Sequence, residues 1–299
     1  MSQFPLELWN QIIPLACMDG GDTARALSAT CRYLRSASTP YKHHFLRVGP
    51  TDRQIASLAR ILDDLRVQEL PRVLAIQATP RCDFDTGAGF QRLYNVDQAR
   101  GSWDETVTSQ LTTILGKVHG VLEVLHLDVF TINYANYKAL YVFPFTQLRE
   151  ITLGGLHPFR PRDWFDYLNQ SKFPALELFR ITVDNVNGLA LCVPIHTPRL
   201  RRVHVLRSKP QHGLWASMVI LLQLHPGTHF VVHVVPPSPF SIGYVHSLAQ
   251  YKSNLQECRE NVKTSGKEEC LELVETAPAM YEGMISHLYH LPNIPSPRL

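Results

Sequence analysis

Val121-Leu122-Glu123-Val124-Leu125-His126-Leu127 is the stretch on which the reading of this chain turns. Its Leu122-x-x-Leu125-x-Leu127 spacing returns as Leu148-x-x-Ile151-x-Leu153, Leu176-x-x-Phe179-x-Ile181 and Leu200-x-x-Val203-x-Val205, with starts 26, 28 and 24 residues apart. The last two apolar positions of each copy lie two apart, the period of a strand with one buried face. A unit this short cannot bury that face alone, so the units are expected to stack and share a core. A looser fifth copy, His229-x-x-Val232-x-Val234, and an earlier one, Leu70-x-x-Val73-x-Ala75, extend the pattern both ways. Leu125, Leu127, Ile151, Leu153, Phe179, Ile181, Val203 and Val205 are expected to be buried in neighbouring parallel strands. The intervening His126, Thr152, Arg180 and His204 then turn outward as one column, with Glu150 and Arg202 in the next.

Between the strands, 161–170 with Trp164, Phe165 and Leu168, and 214–222 with Leu214, Met218 and Leu221, fit helices packed on the strand layer. Upstream, 51–70 has Ile55, Leu58, Ile61, Leu62 and Leu65 at helical spacing, and 73–76 reads as a strand. Residues 80–105, rich in Gly, Asp, Asn and Arg, read as a loop. After Pro236-Pro237-Ser238-Pro239, 245–262 reads as a helix, 271–274 as a last strand and 278–288 as an apolar stripe. This tail is expected to cover the open end of the stack. The fold class is α/β, divided as a helical block (1–48), a linker helix, first strand and loop (49–110), the repeat array (111–235) and a closing segment (236–299).

With 299 residues, 45% hydrophobic and 18% charged, the chain has enough apolar surface to fold without external staples. A net charge of +3 spread over that length lacks the concentrated basic field that phosphate backbones demand, so no nucleic-acid partner is expected. The six cysteines, at 17, 31, 82, 192, 258 and 270, form no C-x-x-C pair or zinc knuckle. The start Met1-Ser2-Gln3-Phe4-Pro5-Leu6-Glu7 has no secretory pattern, and no apolar run reaches the roughly 20 residues of a membrane helix. The expectation is a cytoplasmic or nuclear protein without a membrane partner.

The first 48 residues carry their own helical signals. Pro5 suits a first helical turn, Leu8, Ile12 and Leu15 form one stripe, and Trp9 with Ile13 form the next. Gly20-Gly21 breaks that helix, Asp22 caps a second with Leu27, Cys31 and Leu34 at i, i+4 and i+7, and a third is expected from Ser38 or Thr39. Two apolar faces per helix are too many for so small a unit to bury, so one face is expected to meet a partner.

Phe4-Pro5-Leu6-Glu7-Leu8-Trp9 with Ile12-Ile13, followed by Leu27-Ser28-Ala29-Thr30-Cys31-Arg32-Tyr33-Leu34-Arg35, resembles an F-box. In that family a Pro-x-Glu-(Leu/Ile) start leads to isoleucines one and two turns on and later to a Cys-(Arg/Lys)-x-(Trp/Leu)-Arg segment. The strand template, in turn, is similar to leucine-rich repeats of about 20–29 residues. The asparagine or cysteine that strict repeats place after the strand is mostly missing, so the array is degenerate. Together the two resemble fungal-type F-box proteins with degenerate leucine-rich repeats. The resemblance implies a substrate receptor of a cullin-RING ubiquitin ligase. A Skp-type adaptor, and through it a cullin, would bind Pro5, Leu8, Trp9, Ile12, Ile13, Leu27, Cys31 and Leu34. A protein substrate would bind the repeat domain at His126, Glu150, Thr152, Arg180, Arg202 and His204, with Arg180 foremost because a guanidinium makes planar, bidentate contacts with carboxylates.

No residue pattern carries catalysis. Fourteen histidines are scattered without H-E-x-x-H spacing, and Ser265-Gly266-Lys267 lacks the upstream glycine of a phosphate loop. No metal, cofactor or catalytic residue is expected. The basic run Arg199, Arg201, Arg202, Arg207 and Lys209 reads as a solvated face, and Trp164-Phe165 as core. The competing reading is an α/β enzyme with an active site at strand ends, whose N-terminal helices only mimic an F-box.

Overall fold

The computed structural model describes residues 6–17, 22–49, 52–78, 106–131, 140, 142–156, 173–183, 193, 197–208, 214–237 and 244–275. Three helices open the chain: α1 Leu6–Ala16, α2 Asp22–Thr30 and α3 Arg32–Ser38. The continuous helix expected through Cys31 is broken there. Cys31 has extended backbone and caps α3, its Sγ accepting from Leu34 N at 3.5 Å. The helix expected from Ser38 or Thr39 is a single 3-10 turn, Thr39–Tyr41.

Eight strands follow: β1 Phe45–Val48, β2 Val73–Ala78, β3 Val124–Thr131, β4 Glu150–Leu156, β5 Leu178–Val183, β6 Arg202–Ser208, β7 His229–Val234 and β8 Leu271–Glu275. They form one sheet in strict chain order, and every neighbouring pair is parallel. Parallel neighbours need crossover connections, and helices supply several: α4 Asp52–Asp64, α5 at 106–118, α6 Leu214–Leu224 and α7 Tyr244–Thr264. The chain is thus an α/β protein built on an eight-stranded parallel sheet. No helix among the described residues is long and apolar enough to cross a membrane.

All eight template residues from Leu125 to Val205 are buried. In register, Leu74, Leu125, Ile151, Phe179, Val203, Phe230 and Leu271 form one row, and Ile76, Leu127, Leu153, Ile181, Val205, Val232 and Leu273 the next. These rows share one core with Ile55 and Leu58 of α4, Leu111 and Ile114 of α5, Met218 and Leu221 of α6, and Leu255 and Cys258 of α7.

The two outlying copies are out of phase. Register puts Leu74 and Ile76, not Val73 and Ala75, beside Leu125 and Leu127, and puts Phe230 and Val232, not Val232 and Val234, beside Val203 and Val205. A slip of one residue moves a side chain to the other face, so Val73 and Ala75 lie opposite the core rows. The offset in β7 is two residues, which keeps Val232 and Val234 on the core face, and the approach to this strand is also one residue shorter than in β5 and β6. Phe173-Pro174-Ala175-Leu176, Thr197-Pro198-Arg199-Leu200 and His225-Pro226-Gly227-Thr228 each close an i to i+3 turn before a strand, with proline at its second position. Phe179 and Val203 follow their prolines by five residues, Phe230 by four.

Two elements were not anticipated. β1 lies inside the block expected to be wholly helical and pairs with β2. α5 carries buried Val107, Leu111, Ile114, Leu115 and Val118 ahead of β3, a helical stripe in plain sequence. The expected loop at 80–105, the helix with Trp164 and Phe165, and the stripe at 278–288 lie outside the described residues.

Candidate functional site

Opposite the core, Arg47, Ala75, His126, Thr152, Arg180, His204, Val231 and Glu272 succeed one another across the strands. The expected column His126, Thr152, Arg180 and His204 is therefore one register row. Glu150 and Arg202 stand in the adjoining row, with Leu178 between them and His229 beyond.

The chemistry concentrates on β3 to β5. The Arg180 guanidinium is ion-paired with the Glu150 carboxylate across the strand boundary. His126 Nε2 lies 4.0 Å from the same Glu150 oxygen. Arg180 is therefore not the free guanidinium the sequence reading expected, because the residue beside its row supplies the carboxylate. Thr152 is also less open than expected: only 3% exposed, its Oγ1 has no hydrogen-bond partner among the described residues, and neither has the buried Nδ1 of His126.

On β6 and β7 the His204 and His233 rings stack, centroids 5.7 Å apart and planes at 19°. Burial, reinforced by the Arg180 charge, pushes the His204 pKa down to about 4. Burial also lowers His126, opposed by Glu150, and His233, opposed by Glu272. These imidazoles are neutral at pH 7, so the face carries Glu150 and Glu272 against Arg47, Arg180 and Arg202, and little net charge. His233, between Val232 and Val234 of the looser fifth copy, was left out of the expected column.

In the N-terminal block, Leu8 and Ile12 of α1 are 41% and 42% exposed, whereas Ile13 is buried with Cys17 and Ala24. Trp9, Leu27 and Leu34 pack around that small core, and Cys31 caps α3. The expected adaptor set thus divides: Leu8 and Ile12 present an outer stripe, continued by Leu15, and the others hold the helices together. Pro5 lies outside the described residues.

Sequence reasoning also missed a rim of alternating charge. Arg72, Glu123, Arg149, Glu177 and Arg201, each just before a strand, follow one another through backbone hydrogen bonds of 2.8–3.0 Å. Arg72 and Glu123 are also ion-paired at 2.8 Å. Among the described residues no group of three or more His, Cys, Asp or Glu side chains is placed to hold a metal ion. No protein-family model matches the chain, and no curated protein matches it either.

Proposed function

We propose that this chain is a non-catalytic substrate receptor of a Skp, cullin and F-box ubiquitin ligase, with α1–α3 as its F-box and the strand layer as a degenerate leucine-rich-repeat solenoid. The observation that carries the reading is the outer stripe Leu8, Ile12 and Leu15 on a helix whose opposite side holds a core of its own. Apolar side chains at i, i+4 and i+7 are what a helix-binding groove takes hold of. The solenoid reading rests on the strict chain order of the strands and on template starts 24 to 28 residues apart. That order also weighs against the enzyme reading. A doubly wound sheet reverses its strand order and binds ligands at the reversal, and the eight described strands have no such point.

The test is capture of a purified Skp-type adaptor by the full chain and by Leu8→Glu/Ile12→Glu. Both residues are exposed, so the variant is expected to melt within a few degrees of the wild type. A charge inside an apolar groove is expected to weaken capture by about a hundredfold, or ~2.7 kcal/mol. Equal capture by a folded variant would remove α1 from the interface, and no capture by the wild type would end the F-box reading.

A further inference from the structure

We infer that the rim formed by the starts of β4 to β6 docks a protein segment carrying several carboxylates, held by Arg149, Arg199, Arg201 and Arg202. The inference is read from this rim alone and stands whether or not α1–α3 form an F-box.

Sequence alone reads Arg199, Arg201 and Arg202 as a solvated run. Parallel pairing adds Arg149 from an earlier repeat at the same end of the sheet: Glu177 N donates to Arg149 O at 2.8 Å, and Arg201 N to Glu177 O at 3.0 Å. All four arginines are exposed, and among the described residues none has a side-chain hydrogen bond or ion pair. Glu177, half-buried between Arg149 and Arg201, offsets only part of their charge, and Glu150 is already paired with Arg180. Like charges gathered in this way repel weakly in water, and an anionic partner turns that repulsion into attraction. The backbone beneath them is fixed. Arg199 lies in the turn closed by Leu200 N and Thr197 O at 3.0 Å, and Arg149, Arg201 and Arg202 each donate a backbone N–H to the strand before, at 2.8–3.1 Å. A partner therefore has only side chains to order. Guanidinium groups are planar and weakly hydrated, which suits bidentate contact with carboxylates at a protein interface.

The width of the patch decides the kind of partner. On one side Arg72 is already paired with Glu123, and on the other the exposed Glu268 and Glu269 precede β8. Between these limits Arg149 and Arg201 stand two strands apart, about 10 Å. A nucleic-acid backbone needs a longer basic track and would meet the carboxylates at its ends. A phosphate group draws several guanidiniums onto one point, whereas Glu177 stands between Arg149 and Arg201. Carboxylates spaced along a protein segment can meet the arginines one by one.

The experiment uses the full chain and an array of short synthetic peptides with glutamates at varied spacing. Each peptide is repeated with glutamine, and again with one phosphoserine, in place of the glutamates, and a short single-stranded oligonucleotide is the nucleic-acid arm. At low salt the best glutamate peptides are expected to bind at least about tenfold more tightly than their glutamine versions. Arg149→Gln/Arg201→Gln is expected to lose about tenfold of that affinity, and because both side chains are exposed its melting temperature should stay that of the wild type. Lys252→Gln/Lys263→Gln removes the same charge from exposed positions of α7 and should bind as the wild type does. Glu177→Gln should bind the glutamate peptides about two- to threefold more tightly, a gain that loss of folding cannot imitate. Equal losses in the two double variants would reduce the effect to overall net charge and overturn the inference. So would tighter binding of the phosphoserine peptides or the oligonucleotide, no gain in Glu177→Gln, or binding of no class.

Discussion

Along the strand layer, apolar rows from β2 to β8 share one core with α4–α7, whereas the N-terminal block closes on Ile13, Cys17 and Ala24 with partly buried neighbours. Both regions are rich in apolar residues at regular spacing. They differ in where the second apolar face goes: the layer covers its rows with helices, and the block leaves Leu8, Ile12 and Leu15 outside. A repeated unit finds its covering surface in the next unit of the same chain. A solitary three-helix unit must find it elsewhere, and this is why an exposed stripe means more there than on the layer.

The contrast is broken most directly in the two cores. Phe179 is among the largest fully buried side chains and sits mid-row between Ile151 and Val203. Phe179→Ala is expected to cost about 3–5 kcal/mol in denaturant unfolding, because neighbours on both sides are fixed by sheet register and collapse little into the void. Ile13→Ala removes a residue of comparable burial from a core with few other members. Hydrogen exchange should then show amides of α1–α3 losing protection while β3–β7 keep theirs. Loss of protection along the strands in Ile13→Ala would mean that the two regions unfold as one.

Next in size is the Glu150–Arg180 pair. Both side chains are mostly covered, so Glu150→Gln leaves a guanidinium without its carboxylate and is expected to cost about 1–3 kcal/mol. The more exposed Arg259–Glu275 pair provides the contrast, and Glu275→Gln should cost less than about 1 kcal/mol. Equal losses in a urea titration of the two variants would show that the outer face shields its charges no better than open surface does.

How far sequence carried the reading differed in the same way between regions. The four central template copies specify strand, face and neighbour together, because a period of two and a template that returns every 24 to 28 residues leave one register. At the ends of the array that logic weakened: Val232 and Val234 matched the template two residues late in β7, and Leu70 drew β2 out of phase. The Glu150–Arg180 pair was not legible, because each residue was placed by its own strand and their approach depends on parallel register. The buried polar atoms of His126 and Thr152 were equally hidden, since period alone assigns a face and not the depth of cover on it. The break at Cys31 escaped because apolar spacing ran smoothly through a residue whose thiol caps the following helix.

Acid gives a smaller and graded test. The ordinary histidine pKa of 6.5 holds in the unfolded chain, and burial with neighbouring cations takes His204 down to about 4 in the fold. The unfolded chain therefore takes up the proton first, so acid favours unfolding. Above about pH 6.5 both states are neutral and stability should not vary on this account; below it, stability falls as pH drops toward about 4. His204→Gln should flatten part of that fall. His44 and His225, also lowered by burial, leave a residual slope. A melting temperature that rose between pH 7 and 5 would contradict the sign.

The smallest expected effect lies on the rim of alternating charge. Arg149, Glu177 and Arg201 stand side by side on strands about 4.8 Å apart, joined by backbone hydrogen bonds from Glu177 N to Arg149 O and from Arg201 N to Glu177 O. Glu177→Lys would set three like charges in a row. Arg149 and Arg201 are exposed and Glu177 half-buried, so water screens the repulsion and the expected loss is under about 1 kcal/mol at low salt. Raising ionic strength to about 1 M shortens the screening length to roughly 3 Å, less than the strand spacing, and should remove most of that loss. A salt-independent loss would trace the effect to packing of the Glu177 stem and not to its charge. The rim would then resemble the apolar rows beneath it, where position matters and charge does not.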